Sequence, residues 1–230
     1  MTDTDFASLP LSAPTLATLA SLGFAEMTPI QAQSLPLILQ GRDVIAQAKT
    51  GSGKTAAFGL GLLHPLNPRF FGCQALVLCP TRELADQVAK DLRRLARGSD
   101  NIKVLTLCGG VPMGPQIGSL EHGAQVIVGT PGRVQKHLSK GTLSLDGLNT
   151  LVLDEADRML DMGFEPQLRE IVADIPEAGP PGDPDEEVAS RQTLMFSATW
   201  PKEVRALASD FLHDPVRIHI GSADKLVANT

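Results

Sequence analysis

The chain has 230 residues, 43% of them hydrophobic and 20% charged, with a formal net charge of −6. That apolar content is enough for one large packed domain, which excludes a disordered chain; the acidic balance excludes a broad basic coat for nucleic acid while leaving room for a local basic track. No apolar leader and no bilayer-length apolar run is legible, so the expectation is a cytoplasmic protein without membrane association.

Short apolar runs mark strands over 43–47, 75–79, 104–107, 126–128, 151–154, 193–196 and 216–220. They are continuously hydrophobic rather than alternating, as strands buried on both faces are. Helical patterns lie between them. After Pro80, the residues Leu84, Val88, Leu92 and Leu95 recur at the spacing of a core-facing stripe. Strand and helix in alternation predict an α/β domain, a mostly parallel central sheet with helices on both faces. Cys73, Cys79 and Cys108 form no Cys-x-x-Cys pair and have no histidine at ligand spacing, which predicts buried reduced thiols and no zinc or disulfide. Residues 177–190 open with a run rich in Pro, Gly and acid (177–187), and predict a flexible acidic insertion loop before a strand. The first few residues and those after Gly221 read as loose ends.

Ala48-Lys49-Thr50-Gly51-Ser52-Gly53-Lys54-Thr55 follows the first strand and opens a helix. Glycines there let the backbone curl so that several N–H groups face a phosphate, and the helix adds the positive end of its dipole. Lys54 would reach the β- and γ-phosphates, and the Thr55 hydroxyl would hold Mg²⁺. The strict pattern has glycine where this chain has Ala48. The bland alternative is a glycine-rich turn that caps a helix.

About a hundred residues on, the strand at 151–154 delivers Asp154 and Glu155 at its C-terminal end, the edge where ligands bind in open α/β sheets. Asp154 is placed to hold Mg²⁺ through water, and Glu155 to orient and deprotonate an attacking water. Alone, such an acidic pair also reads as a helix N-terminal cap. With a phosphate loop beside it, the pair supplies the half of a phosphoryl-transfer site that the loop lacks.

The tetrapeptide Asp154-Glu155-Ala156-Asp157 resembles the signature of the DEAD-box ATP-dependent RNA helicases of superfamily 2, and the resemblance extends over nearly the whole chain. Gly23-Phe24 followed by Thr28-Pro29-Ile30-Gln31, with Phe6 upstream, resembles that family's Q motif. Residues 80–85, Gly109-Gly110, 130–133 and 197–199 resemble motif Ia, the glycine doublet, motif Ib and motif III, in the family's order. The resemblance implies the N-terminal RecA-like P-loop NTPase domain over residues 1–221, with 222–230 starting an interdomain linker. It implies a nucleotide site for ATP (or ADP or AMP) and Mg²⁺ built from Phe6, Thr28, Gln31 and Thr50 to Thr55: Thr50, Gly51, Ser52, Gly53, Lys54 and Thr55. Gln31 would read the adenine edge, supported by Thr28, with Phe6 stacked on the base. Core packing is the competing account of Phe6 and Phe24.

Thr81, Arg82, Gly110, Thr130 and Arg133 would hold the RNA sugar-phosphate backbone, which positions a strand without reading sequence. Thr81 and Thr130 also read as helix N-caps, with Pro131 at the first helical position. Ser197 and Thr199 would couple nucleotide state to RNA binding, partly through Asp157; Thr199 also reads as an N-cap before Pro201. The resemblance further implies a second RecA-like domain carrying an arginine finger, of the form His-Arg-x-Gly-Arg-x-x-Arg, and no such run follows Thr199. The expectation is an RNA-stimulated ATPase that unwinds RNA locally once joined to that domain, and an isolated domain that is monomeric and weakly active or inactive. A nucleotide-dependent RNA clamp and a DNA-directed superfamily 2 enzyme stand as the alternatives.

Overall fold

In the computed structural model, which describes residues 4–176 and 191–220, seven strands form one sheet: β1 (Val44–Gln47), β2 (Ala75–Leu78), β3 (Val104–Leu107), β4 (Val126–Gly129), β5 (Thr150–Leu153), β6 (Gln192–Ser197) and β7 (Val216–His219). All seven runs of the sequence are strands within a residue or two at their ends. The sheet is wholly parallel, in the order β3-β4-β2-β5-β6-β1-β7. Nine helices cover it: α1 (Ala13–Ser21), α2 (Pro29–Leu39), α3 (Lys54–Leu63), α4 (Arg82–Leu95), α5 (Met113–His122), α6 (Pro131–Ser139), α7 (Ala156–Asp161), α8 (Glu165–Ala173) and α9 (Lys202–Phe211) among the described residues.

Both sheet faces are apolar because alternate residues of each strand feed different cores. Val44, Ala46, Val77, Val152 and Phe196 join Ile30 of α2, Phe58 of α3 and Leu92 of α4 in one cluster. Ile45, Leu76, Leu78, Leu153 and Met195 join Val134 of α6, Met159 of α7, Leu168 of α8 and Val204 of α9 in the other. The stripe on α4 buries Val88, Leu92 and Leu95, with Leu84 packed at its margin. The three thiols are buried and unpaired, and burial pushes Cys73 up to about 12 and Cys108 to about 11. Such thiols are inert as nucleophiles.

Buried Asp43, just before β1, ties the start of β1 to β6 and to the turn before β7. One carboxylate oxygen accepts from the Thr193 N–H at 2.9 Å and the other from the His213 N–H at 2.7 Å. These bonds fix where β1 begins, and therefore where the loop after Gln47 emerges. The acidic insertion at 177–190 and the segment at 221–230 lie outside the described residues. No helix among the described residues is long and apolar enough to cross a membrane.

Candidate functional site

An all-parallel sheet delivers every strand's C-terminal end to one edge. That edge therefore gathers the loop after β1, Thr81 after β2, Gly109-Gly110 after β3, Thr130 after β4, Asp154 after β5 and Ser197 at the end of β6. Strand order also sorts them. The residues expected to meet RNA follow β3, β4 and β2 on one half of the sheet. Those expected to hold nucleotide follow β5 and β1 on the other.

Within the loop, Gly51 has φ +83° and Gly53 has φ +87°, the left-handed region that glycine adopts without penalty. Gly53 is the N-cap of α3, so the helix dipole points into the curl. A Cβ on Gly53 would stand 2.6 Å from Gln31 Nε2 and 2.8 Å from Thr28 Oγ1. Gly53→Ala therefore combines backbone strain with a clash and is expected to lower stability by about 1–3 kcal/mol while weakening nucleotide binding. Parallel thermal melts and titrations with a fluorescent ADP read both effects, and a variant with unchanged affinity would show that the curl tolerates the shift.

Lys54 starts α3 and is 6% exposed. Its Nζ donates to Asp154 Oδ1 at 2.7 Å, joining residues a hundred positions apart across β6. Burial pushes the Asp154 carboxyl above its usual range, and the Lys54 ammonium opposes that rise. Asp154 Oδ2 and Ser52 Oγ are buried without any hydrogen-bond partner, two of the three such side-chain atoms among the described residues. Buried polar atoms are normally paired, so two orphans beside a curl of N–H groups fit a site made to receive a hydrated cation and a phosphate. Thr55, half-buried at the first turn of α3, and Asp154 are the residues that fit Mg²⁺.

Glu155 follows with φ +53° and ψ +54°, left-handed in a residue that carries a Cβ, and it occupies the N-cap position of α7 without a capping bond from its side chain. The expected cap is thus present in position but not in bonding. Strain of this kind concentrates at functional sites.

The Q-motif residues converge on the loop. Thr28 and Gln31 form a capping box at the start of α2: Thr28 Oγ1 accepts from the Gln31 N–H, and Gln31 Oε1 accepts from the Thr28 N–H. Gln31 Nε2 donates to the Gly53 carbonyl at 3.0 Å. The amide that was expected to face adenine is 1% exposed and engages the phosphate loop itself. Phe6 is likewise in the core at 4% exposed, edge-on to Phe24 with ring centroids 6.1 Å apart. Phe24 is the more open of the two rings. With Thr50, Gly51, Lys54, Thr55 and Val88 it lines a cavity of about 460 Å³ beside the loop, of the size small-molecule sites have.

On the other half, Thr81 caps α4, its hydroxyl accepting from the Leu84 N–H. Thr130 holds the N-cap position of α6 without a side-chain bond, and Pro131 is the first helical residue. Gly110 has φ +83° and lies beside Arg82, whose Nη1 is 3.7 Å from where a Cβ would be. Arg133 donates to the Val111 carbonyl at 2.8 Å. Arg82, Gly110 and Arg133 thus stand together.

On the nucleotide half, between the ends of β5 and β6, Asp157 Oδ2 accepts from both the N–H and the hydroxyl of Thr199, at 3.1 and 2.8 Å. The N-cap alternative for Thr199 does not hold, because Pro201 occupies that position of α9. Ser197 makes no bond to Asp157; its hydroxyl donates to the Thr199 carbonyl at 2.8 Å. Trp200 next door packs under Arg217 of β7 at 4.6 Å from ring to guanidinium, a contact with no sequence signal beyond an isolated tryptophan.

Comparison with known proteins identifies the family and the fold. A family model described as DEAD/DEAH box helicase matches residues 28–207. The ATP-dependent RNA helicase DbpA of Escherichia coli (strain K12) is 56% identical over 224 residues, covering 97% of this chain and 46% of that protein. DEAD-box ATP-dependent RNA helicase 14 of Arabidopsis thaliana is 50% identical over 213 residues, 91% of this chain and 32% of that protein. The crystal structure of a DEAD box protein from the hyperthermophile Methanococcus jannaschii superposes with a TM-score of 0.86 at 37% identity, covering 95% of this chain and 56% of the other. The chain therefore spans half or less of the length of these curated relatives. Its RecA-like sheet and its ordered motifs make it a member of the DEAD/DEAH box helicase family.

Proposed function

We propose that this chain is the ATP-binding N-terminal RecA-like half of an ATP-dependent RNA helicase. The observation that carries the reading is the Lys54–Asp154 bond at 2.7 Å, with the unpartnered Asp154 Oδ2 and Ser52 Oγ beside it. Lys54 and the loop N–H groups hold the phosphates of ATP. Thr55 and Asp154 hold Mg²⁺, which when bound neutralises charge developing on the phosphates. Glu155 accepts the proton of the attacking water. Thr81, Arg82, Gly110, Thr130 and Arg133 hold the RNA backbone, and the Asp157–Thr199 bonds tie the loop after β6 to the start of α7, beside Asp154 and Glu155. An arginine from a second RecA-like domain completes the site, and such groups are worth ~10³–10⁵ in rate.

The test is ATP hydrolysis by the full-length polypeptide with single-stranded RNA, which is expected to stimulate it. Equal stimulation by single-stranded DNA would contradict RNA selectivity, since 2′-hydroxyl contacts separate the two. Stimulated hydrolysis with no strand separation would point to a clamp instead.

Gln31 retains capacity for adenine despite its two bonds, because its amide has a second N–H and a second lone pair. Gln31→Ala is expected to weaken ATP about tenfold and to narrow discrimination against GTP, the size of losing one or two net hydrogen bonds. Competition of ATP and GTP against a fluorescent ADP measures it; unchanged discrimination would remove the adenine-reading role while leaving the loop contact intact.

A further inference from the structure

The region between the Gly109-Gly110 turn and α6 holds a buried polar chain of which only Arg133 falls in a recognisable motif. Gln116, on the first turns of α5, is 8% exposed. Its Nε2 donates to the Cys108 carbonyl at 3.0 Å, one residue before the turn. Its Oε1 receives two bonds, from Arg133 Nη1 at 3.1 Å and from His137 Nε2 at 2.7 Å. His137 is fully buried on α6, and its Nδ1 stands 2.8 Å from Thr142 Oγ1, beyond the helix end.

The chemistry fixes the proton shared by Gln116 and His137. Because Nε2 of Gln116 serves a carbonyl, Oε1 is an acceptor, and His137 must present Nε2–H to it. His137 Nδ1 stands 2.8 Å from Thr142 Oγ1, whose single hydroxyl proton also has the His137 carbonyl within reach at 3.1 Å. Burial pushes His137 below its usual range, and Arg133, Lys140 and Lys136 push the same way.

Arg133 is the outward end of the chain. Both of its bonds, to Val111 and to Gln116, use Nη1. The remaining N–H groups of the guanidinium have no protein hydrogen bond among the described residues, and a guanidinium has five. One nitrogen is thus spent on orientation, which leaves the rest of the fork set for a phosphate.

We propose that Gln116 and His137 are positioning residues for RNA: anchored on the Cys108 carbonyl before the Gly109-Gly110 turn, they hold the Arg133 guanidinium in the orientation that meets a backbone phosphate. The proposal rests on the reading of Arg133 as an RNA-backbone contact. A satisfied polar group that merely supports packing is the competing account, and the two differ in coupling. If Gln116 acts through Arg133, removing both costs no more than removing Arg133 alone; if it supports packing, the losses add.

The experiment measures affinity for a labelled single-stranded oligouridine in the full-length polypeptide, with a fluorescent ADP as the control for the intact domain. Arg133→Ala is expected to weaken RNA about tenfold, as loss of a charge-assisted bond does. Gln116→Met, of similar volume and without hydrogen bonds, is expected to weaken it about five- to tenfold. Gln116→Glu, which keeps an acceptor facing both Arg133 and His137 but loses the donor to the Cys108 carbonyl, is expected to bind RNA more tightly than Gln116→Met. The double variant Arg133→Ala/Gln116→Met should bind as Arg133→Ala does, and ADP affinity should not move in any of them. Unchanged RNA affinity in Gln116→Met, or additive losses in the double variant, overturns the positioning role alone. Unchanged affinity in Arg133→Ala overturns the RNA-contact reading and the proposal with it. If Gln116→Met loses ADP binding as well, His137→Asn decides in its place: a loss confined to RNA supports the proposal, and unchanged RNA affinity overturns it.

Discussion

Lys54→Ala raises the dissociation constant for ATP more than about 100-fold and also lowers the melting temperature. The first effect follows from removing the buried ammonium at the phosphate curl, where a charge-assisted bond contributes about 1.5–3 kcal/mol and a second phosphate oxygen doubles the loss. The second has a different origin. Asp154 is fully buried, and Lys54 is its ion-pair partner at 2.7 Å. Removing one member of a buried pair leaves an uncompensated charge, at about 3–5 kcal/mol. For a chain of this length that is a fall of roughly 6–20 °C.

The two effects separate by pH and by a second substitution. Burial already pushes the Asp154 carboxyl up, and the Lys54 ammonium is the main influence holding it down. Without Lys54 the folded-state value rises further above the unfolded one. A carboxyl with a raised folded-state pKa favours folding below the unfolded value and loses that contribution as pH rises through the folded value. The deficit of Lys54→Ala is therefore expected to be largest at neutral and alkaline pH and to shrink on acidification, beginning above the ordinary carboxylate range. Lys54→Met/Asp154→Leu should regain most of the stability, because well-packed apolar pairs replace buried ion pairs at little cost. It should not regain ATP. Micromolar ATP binding by either variant would end the phosphate-loop reading, whereas a melting temperature equal to the parent's would mean only that Asp154 had found another partner.

The sheet was legible because its strands are buried on both faces. Val44-Ile45-Ala46 and Leu151-Val152-Leu153 read as unbroken apolar runs, and the structure sends alternate members to opposite cores. The loop was legible because chemistry constrains it locally: glycines at positive φ and a lysine at a helix start are sequence-adjacent features. What sequence could not supply is contact between distant residues. Nothing in the run around Gln31 indicates that its amide donates to Gly53, or that Phe6 is buried while Phe24 faces the cavity. The Thr199–Asp157 bonds were anticipated through resemblance to a family, yet the Ser197 hydroxyl turned to Thr199 because a nearer carbonyl lies two residues away. Gln116 and His137 carry no motif at all. Their connection spans 21 positions and two helices, and only the packing of α5 beside α6 reveals it.

Glu155→Gln is expected to leave ATP affinity within about threefold of the parent and to lower RNA-stimulated turnover of the full-length polypeptide by ~10²–10⁴. The amide keeps the size and the hydrogen-bonding reach of the carboxylate but cannot take a proton from water. A loss of affinity equal to the loss of turnover would instead place Glu155 in nucleotide binding. The backbone offers an independent check. At φ +53° the residue is in a region that costs a side chain roughly 1 kcal/mol and costs glycine little. Glycine is also acceptable at an N-cap, and the Glu155 side chain supplies no capping bond there. Its ion pair with Arg158, at 4.0 Å and half-exposed on the arginine side, contributes little. Glu155→Gly should therefore match the parent in thermal stability or exceed it by up to about 1 kcal/mol, while losing turnover as fully as Glu155→Gln. Catalysis lost with stability kept would mean that the left-handed conformation is retained for what the carboxylate does. A clear drop in stability would mean that Glu155 anchors the start of α7, and the strain would then need a structural explanation rather than a catalytic one.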